Sequence, residues 1–349
     1  MQETIRVAVV GASGYSGEEL VRCLLRHPSV QLTRVTSRAL TGTPLADYYG
    51  LPKSSLAGST DLLFSDVSLP ELIASADAFF LALPHGLAAE YAVPLIEAGK
   101  VVLDLSADFR LKDPTIYKEF YHHDHPAPQL LPQAVYGLPE LHHAEIKTTQ
   151  LVACPGCYPT SILLGLAPAL KFGWIDPHQI VINSLSGVSG AGRKADIPLL
   201  FAECDENTKA YSVPVHRHHS EIEQELSLLA GGTIRVSFTP HLIPLLRGML
   251  STISAPLHQG FSDEKALVAA ASEFYMESPF VKVLPAGQLP ESKRVMRTNR
   301  CDIGMRVDSR NGRLVIVSVI DNLGKGAAGQ ALQAFNIRFG FAEDRGLQA

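Results

Sequence analysis

The chain has 349 residues, 46% of them hydrophobic and 19% charged, the balance of a globular protein with a core large enough for two ordinary domains. A formal net charge of −5 without a basic tract excludes a general nucleic-acid surface, which needs clustered Lys and Arg. The densest apolar stretch, Ala76 to Pro84, is far too short to cross a bilayer, and Met1 to Arg6 lacks the charged-then-apolar layout of an export signal. Five scattered cysteines (Cys23, Cys154, Cys157, Cys204 and Cys301) make a poor disulfide framework. A cytoplasmic location is expected, with thiols available for chemistry.

Ile5 to Val10 is a short β-branched run ending in Gly11-Ala12-Ser13-Gly14-Tyr15-Ser16-Gly17. Leu20 and Leu24, with Val21 and Leu25, then stack at helical spacing, and Val30 to Thr36 reads as a second strand. This is a β-α-β unit of the usual size. Its loop reads GxxGxxG rather than GxGxxG, so the weight falls on its context between a strand and a helix. Small residues there let the backbone approach a pyrophosphate at a helix N-terminus. A purely structural tight turn is the competing reading. Gly11, Ser13, Gly14, Tyr15, Ser16 and Gly17 are expected to hold the cofactor. After the second strand come Ser37 and Arg38. A carboxylate there would serve a ribose 2′-hydroxyl, whereas an Arg pairs with a 2′-phosphate, so NADP is favoured over NAD.

Ala78 to Leu83 and Lys100 to Leu105 continue the series as buried parallel strands, with a helix expected over Gly86 to Ala98. Arg110, in Leu105-Ser106-Ala107-Asp108-Phe109-Arg110, follows a strand on the side where open α/β sheets bind ligands. It is either an anion clamp or a surface salt bridge. From about Asp113 to Leu141 the chain turns irregular. His122, His123, His125, His142 and His143 are expected to be polar surface residues in loops.

The central feature is Cys154-Pro155-Gly156-Cys157-Tyr158-Pro159-Thr160, followed by the apolar helix Ile162 to Leu170. Cys157 falls at or just before a helix N-terminus, where the dipole favours a thiolate. Such a thiolate can take an acyl group and release phosphate. A dithiol redox pair would need a thioredoxin-like unit around it. A zinc site would need a second ligand pair at matching spacing. Inert burial fits poorly with the surrounding Gly and Pro, which describe an exposed elbow.

Strands are expected over Ile180 to Leu185, Thr233 to Thr239, Gly248 to Ile253 and Leu314 to Ile320, with helices over Ser220 to Ala230 and Asp263 to Glu277. That alternation reads as α+β with a mostly antiparallel sheet. The Ser/Gly loop from Ser184 to Arg193 suits an anionic ligand, with Ser186 and Arg193 taken as substrate-facing. His216-Arg217-His218-His219 precedes a helix capped by His219 or Ser220, and histidine suits proton transfer near neutral pH. Glu221 is placed to orient a ring. A surface helix start with accidental histidines is the alternative. Asp321 to Gln330 returns to small residues, with Asn322 expected near the nicotinamide, and Gly326 to Phe339 reads as a helix packing back on the first domain.

These segments together resemble the N-acetyl-gamma-glutamyl-phosphate reductases, arginine-pathway relatives of aspartate-semialdehyde dehydrogenase. The matching stretches are Gly11 to Gly17, Leu105 to Arg110, Pro155 to Thr160, Ser186 to Arg193, His216 to Glu221 and Asp321 to Gln330. They run in order across nearly the whole chain, and Pro-Gly-Cys-Tyr-Pro-Thr is the most discriminating. The resemblance implies a Rossmann-type NADP domain over 1–150 and 322–349. It also implies an α+β catalytic and oligomerising domain over 151–321. Cys157 would be the nucleophile, with acid/base chemistry from His216 or His218, and the substrate held by Arg110, Ser186, Arg193 and Glu221. The partners would be an acyl phosphate and inorganic phosphate, with no nucleic acid, membrane or metal, in a homo-dimer or homo-tetramer. His219-Ser220 stands where the family pattern has Thr-Pro, which leaves open which histidine carries the proton. An aspartate-semialdehyde or aminoadipate-type reductase, a non-catalytic NADP-binding sensor and a thiol hydrolase are the other readings.

Overall fold

Seven short runs of β-branched and apolar residues form the first sheet. They are β1 (Ile5–Val10), β2 (Val30–Thr36), β3 (Phe64–Ser65), β4 (Ala78–Leu81), β5 (Val101–Asp104), β6 (Val135–Tyr136) and β7 (Leu151–Ala153). The order is β3-β2-β1-β4-β5-β7-β6, and every pairing is parallel. The computed structural model describes residues 4–52 and 62–348. Met1–Glu3, part of the stretch read above for an export signal, lie outside the described residues.

Because successive side chains of a strand point to opposite faces, this sheet has a core on each side. Val7, Val9, Phe80 and Leu103 pack one way, with Leu20, Val21 and Leu24 of α1 (Tyr15–Leu24). Ala8, Val10, Phe79 and Leu81 pack the other way. They meet Leu72 of α3 (Leu69–Ser75) and Ala88, Ala92 and Leu95 of α4 (Ala88–Glu97). Burial on both faces explains why these strands read as continuous apolar runs rather than alternating ones. The short α2 (Leu45–Tyr49) lies between β2 and β3 in the chain, and α5 (Pro114–Tyr121) and the start of α6 (Pro139–Ile146) fall in the stretch expected to be irregular.

Helix α7 (Cys157–Lys171) opens the second half, followed by α8 (Phe201–Cys204), α9 (His218–Ala230) and α10 (Glu264–Phe274). Its sheet comprises β8 (Val181–Gly187), β9 (Lys209–Ala210), β10 (Ser237–Ile243), β11 (Met249–Pro256), β12 (Val281–Val283), β13 (Cys301–Asp308) and β14 (Arg313–Ile320). The order is β12-β13-β14-β11-β8-β10-β9. The sheet is mixed: β12·β13 and β8·β10 pair parallel, and the other four pairings are antiparallel. Helix α7 presses onto it closely enough that a Cβ on Gly165 would meet the Ile253 Cδ1 at 3.2 Å. Hydroxyls of Ser161, Ser251 and Ser184 form a buried chain at 2.6 and 2.7 Å beneath it.

The last helix, α11 (Gly329–Arg338), packs into the core of the first sheet through Ala331, Leu332 and Phe335. Two compact units result. One holds the described residues of Met1–Lys118, His123–Pro155 and Ala327–Leu347, and the other those of Glu119–His122, Gly156–Gly326 and Gln348–Ala349. Among the described residues no helix is long and apolar enough to cross a membrane.

Several expectations need correction. Strand β10 is displaced toward the C-terminus, to Ser237–Ile243, and α9 begins at His218. Ser220 lies inside the first turn of α9, its hydroxyl donating to the Arg217 carbonyl at 2.9 Å. His142 and His143 belong to α6. His125 is buried, its Nε2 on the Asp108 carbonyl and its Nδ1 accepting from the Ala127 N–H at 3.0 Å. His122 and His123 are exposed.

Candidate active site

In the first unit the glycine loop lies at the carboxyl ends of β1 and β4, where the strand order reverses and open α/β sheets bind ligands. Gly11 has φ +84°, and a Cβ on it would stand 2.4 Å from the Ala82 carbonyl oxygen. A Cβ on Gly17 would meet the Gly11 oxygen at 2.7 Å. Those two glycines are required by the fold of the loop itself. Gly14 differs: it is the N-cap of α1, and nothing crowds a Cβ there more closely than 3.9 Å. Gly14 thus leaves room in front of the first turn of α1, the end of a helix whose N–H groups favour an anion. Ser37 donates its hydroxyl to Ser13 at 3.0 Å, tying the end of β2 to the loop. The Arg38 side chain is 78% exposed, with Asp66 3.9 Å away.

Also in this unit, Arg110 is only 6% exposed. Its Nε donates to the Cys154 carbonyl at 2.7 Å and its Nη2 to the Leu105 carbonyl at 3.0 Å. It thereby joins the ends of β5 and β7, the strand that leads into the Cys157 elbow. Asp108 accepts from the Gly86 and Ala88 N–H groups at 2.7 and 3.1 Å, holding the start of α4. Fully buried Asp104 is pushed up to about 7, first by burial and then by the charge of Asp108. Burial likewise raises the Cys154 thiol, which makes it a poor nucleophile.

In the second unit Cys157 is the first residue of α7, behind the N-cap Gly156, and its side chain is only partly buried. Glu221 of α9 is 2% exposed, and its Oε1 accepts the Gly156 N–H at 2.8 Å. The His218 ring lies against the same residue: a Cβ on Gly156 would fall 2.5 Å from its Nε2. One glycine therefore receives both the carboxylate and the imidazole immediately before the thiol. His216 supports this arrangement, its Nδ1 accepting the His218 backbone N–H at 3.1 Å. Burial, followed by the Arg217 charge, pushes His216 down to about 4. His219 is tied elsewhere, to the Pro214 and Val236 carbonyls and to Glu223, which raises it.

Rings of Tyr158, Tyr211, His216 and His218 meet edge to face at 5.0–5.9 Å. The Tyr211 hydroxyl donates to that of Tyr158 at 3.0 Å, and burial raises Tyr211 to about 12. The Ser186 hydroxyl is buried on the Gly187 carbonyl, whereas Arg193 is exposed. Asn322 is 2% exposed, its Oδ1 accepting the Gly248 N–H at 2.8 Å and its Nδ2 donating to Ser189 at 2.9 Å. It braces the Ser/Gly loop. Sequence reasoning missed Tyr211, the structural use of Asp108, and Arg247, which pairs with buried Asp321 at 2.9 Å. The one local hint of that pair is an Arg set among apolar residues, in Pro244-Leu245-Leu246-Arg247.

The semialdehyde dehydrogenase NAD binding domain matches residues 6–149, and the semialdehyde dehydrogenase dimerisation domain matches residues 157–322. The chain is 50% identical to N-acetyl-gamma-glutamyl-phosphate reductase of Akkermansia muciniphila, over 98% of each chain. It is 49% identical to that of Acetivibrio thermocellus, over 98% of this chain and 97% of the relative. Its fold is that of aspartate semialdehyde dehydrogenase II of Vibrio cholerae, with a TM-score of 0.72 at 17% identity, covering 96% of this chain and 98% of the other. Aspartate semialdehyde dehydrogenase with NADP from Candida albicans gives 0.68 at 17% identity, with the same coverage. With half of its residues shared over almost its full length, the chain belongs to the N-acetyl-gamma-glutamyl-phosphate reductase family of oxidoreductases.

Proposed function

We propose that the chain reduces N-acetyl-gamma-glutamyl phosphate to N-acetylglutamate semialdehyde with NADPH, a step of arginine biosynthesis, through a thioester on Cys157. The observation that carries this reading is the elbow at Gly156, where a helix begins on Cys157 and the His218 ring lies against the glycine just before it. The helix dipole favours the thiolate. The Cys157 sulfur attacks the acyl carbon, the bond from that carbon to the phosphate oxygen breaks, and inorganic phosphate leaves. NADPH, when bound, supplies the hydride that turns the thioester carbonyl into a hemithioacetal. His218 holds the proton exchanged with the hemithioacetal oxygen, the C–S bond then breaks, and the aldehyde leaves with the thiolate restored. N–H groups of the first turn of α7 face the developing oxyanion.

His218 is preferred over His216 because a ring held near pKa 4 is a weak base at neutral pH. Arg110 and Glu221 brace the elbow through backbone groups, Cys154 O and Gly156 N–H, and are read as holding the substrate beside it. Ser186 and Arg193 complete the substrate-facing set, with Asn322 bracing their loop. The open space at Gly14 and the exposed Arg38 fit the pyrophosphate and the 2′-phosphate of NADP. The second unit, which carries the dimerisation domain, joins copies into a homo-dimer or homo-tetramer, to be read by light scattering.

The test is oxidation of N-acetylglutamate semialdehyde with NADP, with and without phosphate, beside aspartate semialdehyde and an aminoadipate-type semialdehyde. Turnover should require phosphate, be fastest on the N-acetylglutamate compound, and vanish in Cys157→Ser. Full activity in that variant removes the reading.

A further inference from the structure

Gly326, in the turn after β14, lies directly against Cys157. A Cβ on it would stand 2.8 Å from the Cys157 Cβ and 3.3 Å from its Cα, inside ordinary carbon–carbon contact. The Gly326 backbone is therefore a wall beside the thiol side chain. What holds that wall is Asp321. Its main-chain oxygen accepts the Gly326 N–H at 2.9 Å. Its carboxylate, 0% exposed, accepts the N–H groups of Leu323 at 2.8 Å and Gly324 at 3.0 Å, closing the turn.

The same carboxylate reaches two further segments. It accepts the Arg297 N–H at 2.6 Å and both arms of Arg247, Nε at 2.9 Å and Nη2 at 3.0 Å. Arg297 has φ +63°, a left-handed backbone that an L residue adopts only where its surroundings impose it. Gly324 leaves no slack, since a Cβ there would be 2.3 Å from the Thr298 oxygen. A buried ion pair is weak evidence for stability, because desolvation offsets the attraction. A carboxylate accepting from three backbone N–H groups and a bidentate guanidinium instead fixes one geometry.

We infer that Asp321, clamped by Arg247, is a positioning residue for the reaction: it sets where the Gly326 backbone stands and thereby holds the Cys157 side chain in its attacking position. This rests on the reading of Cys157 as the nucleophile.

The test uses full-length Asp321→Asn and Arg247→Lys, checked for native fold by circular dichroism. Cys157 alkylation by iodoacetamide is followed against pH without substrate or cofactor, beside kcat and KM. In Asp321→Asn, kcat should fall about 10- to 100-fold, the cost of misplacing a reacting group by about 1 Å. KM values should stay within about twofold, the mark of an interaction outside uniform substrate binding, and the alkylation profile should move in the same variant. Arg247→Lys should lie between it and wild type. A variant that melts earlier yet keeps the wild-type alkylation profile and kcat overturns the inference. If Asp321→Asn does not fold, Gly326→Ala carries the test by crowding Cys157 with the ion pair intact, and unchanged alkylation and kcat there overturn it equally. An active Cys157→Ser enzyme removes the nucleophile reading itself, whereas an inactive one beside an unperturbed Asp321→Asn overturns only this inference.

Discussion

Replacing Gly156 by alanine adds one methyl group where the backbone already suits it, since φ −72° and ψ 159° are open to any residue. The whole effect must therefore come from what the methyl touches. It would stand 2.5 Å from the His218 Nε2 and 2.6 Å from Cε1, against ordinary contacts beginning near 3.4 Å. The ring must withdraw by about 1 Å, a displacement that costs roughly 100-fold in rate when the moved group takes part in the chemistry. Overpacking also destabilises the fold by about 1–3 kcal/mol, so a melting curve is needed beside the kinetics. Gly156→Ala should lower kcat by roughly that factor with KM little changed, while the Glu221 bond to the Gly156 N–H survives. A folded variant with kcat within about twofold of wild type would refute the role given to His218.

Three further outcomes follow from the geometry. Arg38→Ser should raise KM for NADPH about 10- to 100-fold and leave NADH use nearly unchanged, the equivalent of the ~1.5–3 kcal/mol of a charged hydrogen bond; equal losses with both nucleotides would contradict it. Phe335, fully buried between Phe80 at 5.7 Å and Phe339 at 4.7 Å, should cost about 3–5 kcal/mol on replacement by Ala, read by urea unfolding. His216, held near 4 against an ordinary 6.5, refuses a proton that the unfolded chain binds between those values. Its contribution to stability is therefore full above pH 6.5 and is lost as pH falls toward 4. His219, raised chiefly by its hydrogen bond to Glu223, runs the opposite way, its contribution fading as pH rises through the elevated value. His216→Gln should flatten the acid limb of a melting-temperature profile, and curves parallel to wild type would refute the assignment.

The parts legible in the sequence are those whose cause is local. Gly11 to Gly17 combines a strand, small residues and a helix within about one β-α-β unit, and Cys157 is marked by its Gly and Pro neighbours before an apolar run. The reach of α9 back to His218 and the shift of β10 to Ser237–Ile243 were not legible, because partners distant in sequence decide them. Strand β10 is set by its parallel register on β8, where Pro240 faces Ser184. The Arg110 bond to the Cys154 carbonyl was not legible either, because nothing nearby in sequence announces a partner 44 residues on. Asp321 and Arg247 are separated by 74 residues, and His125 is buried by Asp108 and Ala127, although it stands in a cluster of histidines that composition alone assigns to the surface.

The most direct test of the covalent route is mass spectrometry of the intact enzyme mixed with N-acetyl-gamma-glutamyl phosphate in the absence of NADPH. The thioester should then accumulate: one N-acetylglutamyl group on Cys157, one phosphate released per chain, and discharge to the semialdehyde when NADPH is added. Phosphate release without an adduct, or the same adduct on Cys157→Ser protein, would contradict a thioester at Cys157.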